Sequence, residues 1–104
     1  MDMESDVIAL SAAIRGRNRI EFVYKGARRK AEPFVVGILP TGKAALRAYE
    51  VAGGGVGHMA SSNQFKLYLL AEMSQLEVLP ETFATIRPNY RANDTAFKTI
   101  LASF

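Results

Sequence analysis

The stretch GILPTGKA, residues Gly37 to Ala44, admits two readings that lead to different folds. As G-x-x-x-x-G-K after the apolar run Phe34-Val35-Val36, it stops one residue short of a phosphate-binding loop, which belongs in a parallel α/β domain. As Pro40-Thr41-Gly42 between two alternating segments, it is the turn of an antiparallel hairpin. The first reading fails on the residues after Lys43. A phosphate loop must open a helix whose N-terminal amides hold the anion, and its Lys should precede a Ser or Thr that binds magnesium. Here Lys43 precedes Ala44, and AALRAYEV alternates with period two instead of showing a helical stripe. The hairpin reading stands, with Lys43 a charge at its tip.

Outward from this hairpin the chain reads as short strands. Upstream, Ile20, Phe22 and Tyr24 alternate with Arg19, Glu21 and Val23, the period of a half-buried strand. Lys25-Gly26 is its turn. A second strand covers roughly Arg28 to Leu39, with Pro33 and Gly37 marking a bend, a bulge or an edge position. A third runs from Ala44 to Val51, with Leu46 and Ala48 on one face and Arg47, Tyr49 and Val51 on the other. AGGGVGHMASSN is a Gly/Ser-rich connection. Phe65 to Leu70 and Leu76 to Leu79 form strands four and five, and Phe83 and Ile86 tuck back onto the body. Helices flank this block. Asp6 caps one that runs to about Arg17, with Val7, Leu10 and Ile14 on its apolar stripe and Ile8 beside them. After the linker RPNYRAND, Asp94 or Thr95 caps a last helix, in which Phe97, Ile100, Leu101 and Phe104 recur at i, i+3, i+4 and i+7. The expectation is one mainly β domain over residues 1–104. It consists of a small SH3- or Sm-like barrel of about five strands (about 18–84), an N-terminal helix, and a C-terminal tail with a helix (88–104).

Composition narrows the function. The chain has 104 residues and no cysteine, which removes disulfides and thiolate metal sites. No apolar run nears the ~18 residues that span a membrane, and MDMESD lacks the build of a signal peptide. A soluble cytoplasmic protein is expected. Net charge is only +3, but Arg15, Arg17, Arg19, Lys25, Arg28, Arg29 and Lys30 are interrupted by a single acid, Glu21. Such a cluster suits an anionic partner, and the plainer reading is a solvated face beside a turn. His58 is the only histidine and has no partner at metal-ligand or catalytic spacing. Ser61 and Ser62 lack a base, and GGGVG is a mobile hairpin loop before it is an anion nest. No catalytic residue, metal site or cofactor is expected. Cations interleaved with aromatic rings remain, the mixture that holds single-stranded nucleic acid. Arg28, Arg29, Arg47 and Lys66 are the candidate phosphate partners. Tyr49, on the same side of its strand as Arg47, is the candidate stacking ring, whereas Tyr24 shares a face with Ile20 and Phe22 and reads as core.

The order of segments resembles the WYL domain, a bacterial sensor module with an SH3- or Sm-like barrel. AIRGRNRIEFVYKG resembles its opening helix end and first strand, and RRKAEPFVVG its Arg-x-x-x-Pro strand. GKAALRAYE lies at the name motif, and FKLYLLAEMSQLEVL resembles its Phe-Arg-Leu and final strands. The likeness covers about residues 10–84. The name motif is degraded, with Ala44 and Ala45 in place of Trp and Tyr, and Tyr68-Leu69 stands where Asp-Arg is usual. The resemblance implies a non-catalytic regulatory module that senses a nucleotide or single-stranded nucleic acid and is linked to bacterial transcription. Lys66 matches a groove Arg, and Arg28 or Arg29, Arg47 and Tyr49 fall on the neighbouring strands. The helix-turn-helix domain that usually precedes a WYL domain is not in these 104 residues. The alternative is therefore an interaction module that forms a homodimer or docks on a separate regulator through a strand edge or the C-terminal helix.

Overall fold

The structure is a computed structural model, and it describes residues 3–52, 64–84, 86–88, 90 and 94–104. Helix α1 (Met3–Gly16) leads into β1 (Asn18–Tyr24), β2 (Ala27–Ile38), β3 (Ala44–Ala52) and β4 (Gln64–Leu69). A 3₁₀ turn (Leu70–Glu72), β5 (Met73–Thr82) and β6 (Thr99–Ser103) complete the order. All pairings are antiparallel, in the order β4-β3-β2-β1-β5, with β6 added to β2.

The hairpins form where turn chemistry allows. Lys25 (φ 52°) and Gly26 (φ 76°) both take positive φ between Tyr24 and its partner Ala27, the two-residue turn that suits strand twist. At the second hairpin the Gly42 amide donates to Leu39 O (2.8 Å) and the Leu39 amide to Lys43 O (2.8 Å). Gly42 at φ 88° supplies the left-handed residue that closes such a loop. The GILPTGKA segment is thus a hairpin tip, and it leads into a strand, not a helix.

The β4 and β5 strands do not pair, so the expected closed barrel is not formed. The sheet is curled nonetheless. Across a flat sheet of five strands the two outer strands would lie ~19 Å apart. The four steps from Leu69 to Met73 span at most ~14 Å. The three-residue 3₁₀ turn can connect them only if the sheet bends toward itself.

Both faces of the bent sheet are covered. On the inner face, Leu10, Ala13 and Ile14 of α1 pack on Ile20, Phe22, Val36 and Leu46. The helix starts earlier than expected, at Met3, so Asp6 lies inside its first turn and is buried. Its acidic first turn and Arg15 in the last turn suit the helix dipole. Ile8, expected beside the apolar stripe, points to solvent. On the outer face the Phe34 ring lies 4.9–5.4 Å from those of Phe65 of β4 and of Phe83, Tyr90 and Phe104 from the chain beyond β5. Ile86, expected to tuck in as well, is exposed. A β-bulge serves this second core. Pro33 pairs with Ala48 and Val35 with Arg47, leaving Phe34 as the extra residue, so Phe34 and Val35 both belong to the outer cluster.

The expected C-terminal helix is a strand. Asp94 does cap a turn, accepting from the Ala96 amide at 3.0 Å, but residues 99–103 then pair with residues 35–38 of β2. The Lys98 amide donates to Ile38 O and the Phe104 amide to Phe34 O, both at 2.7 Å. Gly37 permits this approach. A Cβ built there would strike the Thr99 carbonyl oxygen and lie 2.9 Å from the Phe97 ring and 3.1 Å from Ile100 Cα.

Candidate anion-binding site

Alternation along β3 carries Leu46, Ala48 and then Glu50 to the inner face, so an acid occupies a core position. Glu50 is fully buried, at 0% exposure. A carboxylate without water needs several donors, because an isolated buried charge costs several kcal/mol. Two neighbouring strands provide them. Arg29 Nη1 of β2 and Lys66 Nζ of β4 each approach at 3.2 Å, and the Tyr68 hydroxyl of β4 donates to the same group. Burial, and then the Glu50 carboxylate, push the Tyr68 phenol well above its ordinary range. The Arg29 guanidinium lies 5.5 Å from the centre of the Tyr24 ring. Its Nε is buried and has no hydrogen-bond partner among the described residues. Among the described residues two cations thus share one carboxylate, a formal surplus of one positive charge beside a desolvated donor.

The other candidates lie elsewhere. Arg47 and Tyr49 do share the outer face, where the segment after β5 meets both. Arg47 Nε donates to Asp94 Oδ2 at 2.8 Å. Tyr49 has the Arg87 guanidinium over its ring at 4.5 Å and packs edge-on against Phe65 at 5.3 Å. Arg87 also donates two hydrogen bonds, at 2.8 and 2.9 Å, to Glu32, a second fully buried carboxylate, which Arg19 also meets at 2.9 Å. Hydrogen bonding to Glu32 holds the Arg87 guanidinium's pKa above its ordinary value. Arg28 lies in the open, paired with Glu21 at 3.0 Å and Glu77 at 3.5 Å. Near it Lys30 and Arg19 share Glu81, each at 2.7 Å, and Lys30 foremost, then Arg19, hold that carboxyl below its usual range.

The five sequence-derived residues therefore divide into Arg29 with Lys66 on the inner face, Arg47 with Tyr49 outside, and Arg28 alone. Tyr24 is core, as its face implied. Glu50, Tyr68, Glu32 and Arg87 were not anticipated as site residues, and Asp94 was expected only as a cap. The one legible signal was that Glu50 continues the inward series of Leu46 and Ala48. His58, Ser61, Ser62 and the GGGVG run lie outside the described residues. Among the described residues no group of three potential metal ligands gathers, and no helix is long and apolar enough to cross a membrane. No family model, curated protein or solved structure matches this chain.

Proposed function

We propose that the domain is a non-catalytic SH3- or Sm-like binding module that takes an anionic ligand, a nucleotide or a short single strand, at the Glu50 end of the inner face. The charge surplus at Arg29, Lys66 and Glu50 carries the reading. An added phosphate oxygen would balance the second cation and supply an acceptor where Arg29 Nε has none. Tyr24 and Tyr68 pack edge to face in the core beside that end, their rings 4.9 Å apart. Regulation of bacterial transcription rests on the WYL resemblance alone and belongs to the same proposal.

Anisotropy of fluorescein-labelled oligo-dT at low and moderate salt tests it. Affinity should fall steeply with salt. Lys66→Gln should weaken binding about 3–10-fold and reduce the salt slope by roughly one. Arg28→Gln, at a side chain that pairs with Glu21 and Glu77 instead of Glu50, should change little. Absence of binding at low salt, or equal binding by wild type and Lys66→Gln, would refute the proposal.

A further inference from the structure

The strands at the two ends of the β4-β3-β2-β1-β5 order differ in how they meet solvent. An exposed strand edge offers unpaired amides and carbonyls to another chain, and proteins blunt such edges with proline, bulges and charge. The β5 strand has all three. Pro80 removes a donor, Gln75 sits at φ 53° beside a register shift, and Glu77 and Glu81 add charge. The β4 strand, QFKLYL, has no proline and no bulge against β3, and its single charge, Lys66, is held by Glu50. Among the described residues only β3 pairs with it.

The phase of that free edge can be read. The Leu69 amide donates to the Tyr24 hydroxyl at 3.2 Å rather than to β3. Amides on one side of a strand alternate, so those of Phe65 and Leu67 face the same open side. Tyr24 covers one end of the edge, and among the described residues no strand pairs with Phe65 to Leu67 on that side.

We propose that β4 is a self-association edge, and that a second copy of this chain adds its own β4 antiparallel across a two-fold axis at Leu67. Self-complementarity selects this occupant and this register. With Leu67 opposite Leu67 of the second copy, Lys66 meets Tyr68 and Phe65 meets Leu69, whose amide exchanges the Tyr24 hydroxyl for the partner strand, so Leu67 and Phe65 face apolar groups and no like charges oppose. The neighbouring register, centred on Lys66, would set two lysines directly opposite, which is unfavourable. Leu67, 36% exposed, is one of the large apolar side chains left at the surface. The pairing joins the two sheets into one and places the Lys66 side chains of both copies on the same continuous inner face. It needs no ligand, so it stands or falls separately from anion binding.

Edge pairing buries little area, so the dimer should be weak and visible by sedimentation equilibrium between about 10 µM and 1 mM. The mass of wild type should rise toward twice the monomer. Leu67→Lys puts two cations on the axis and should stay monomeric, with the circular dichroism and melting temperature of wild type showing that the fold is kept. Val78→Lys, on β5 and 41% exposed in wild type, should dimerise like wild type. The chain has no cysteine, so Leu67→Cys carries a unique thiol, and a short bis-maleimide should link it into dimers. Wild type monomeric at about 1 mM, Leu67→Lys still dimeric, or Val78→Lys as disruptive as Leu67→Lys would each overturn the proposal.

Discussion

Replacing Gly37 with Ala should detach the C-terminal strand. At a permissive site Gly→Ala stabilises by about 0.4–1 kcal/mol, because the unfolded chain loses freedom. At Gly37 the added methyl meets the Thr99 carbonyl, a backbone atom that cannot rotate away, as well as the Phe97 ring. Relief requires β6 to leave β2, with loss of the Lys98 and Phe104 amide hydrogen bonds and of the cover over Phe34. Phe97 is buried and Phe104 partly so, and a fully buried Phe is worth about 1.5–3 kcal/mol, so their release costs about 2–4 kcal/mol. With a urea slope of about 1–2 kcal/mol per M, the midpoint should fall by about 1–3 M. Hydrogen exchange should show the Lys98 and Phe104 amides losing protection while those of β1 keep theirs. A variant as stable as wild type, with both amides still protected, would refute the account of Gly37 as the seat of β6.

The same geometry yields three further outcomes. Lys25→Asn should raise stability by about 0.5–1 kcal/mol in urea unfolding, because Asn accepts positive φ more readily in a two-residue turn. Glu32→Gln leaves Arg19 and Arg87 facing a neutral amide and should cost about 3 kcal/mol by the same urea measurement, at the low end for a buried pair because both guanidinium groups still reach solvent. The raised Tyr68 pKa makes stability depend on alkaline pH. Below about pH 10 the phenol is protonated in both states, and above it only the unfolded state loses the proton, so stability falls by about 1.4 kcal/mol per pH unit. Urea unfolding of wild type and Tyr68→Phe from about pH 8 to 11 should show a shallower alkaline decline in the variant, and parallel declines would count against a buried, Glu50-bound phenol.

Much of the sheet was legible because its signals are local. Alternation marked β1 and β3, and Lys25-Gly26 and Pro40-Thr41-Gly42 carried their turn types on their faces. The C-terminal strand was hidden because Phe97, Ile100, Leu101 and Phe104 fit a helical stripe, while Ile100 and Ala102, both half-buried, also fit a period of two. Short apolar segments are ambiguous in this way. The deciding partner lies 61–68 residues earlier, at the free edge of β2 beyond its bend, with a glycine where the strands touch. The charge reading failed to resolve for a related reason. Arg15 to Lys30 looks nearly acid-free along the chain, yet folding brings Glu32, Glu50, Glu77 and Glu81 to its members. A running tally of charge sees neighbours in sequence, and a sheet assembles neighbours in space.

The doubled step at Phe34 and Val35 gives β2 a tolerance no regular strand has. Losing one residue from an evenly alternating ladder turns every later side chain inside out. Losing Phe34 would instead leave Pro33 opposite Ala48 and Val35 opposite Arg47, still in frame. A one-codon deletion there would thin the aromatic cluster without exchanging the two faces, whereas the same deletion at Ala31 or Val36 would scramble them.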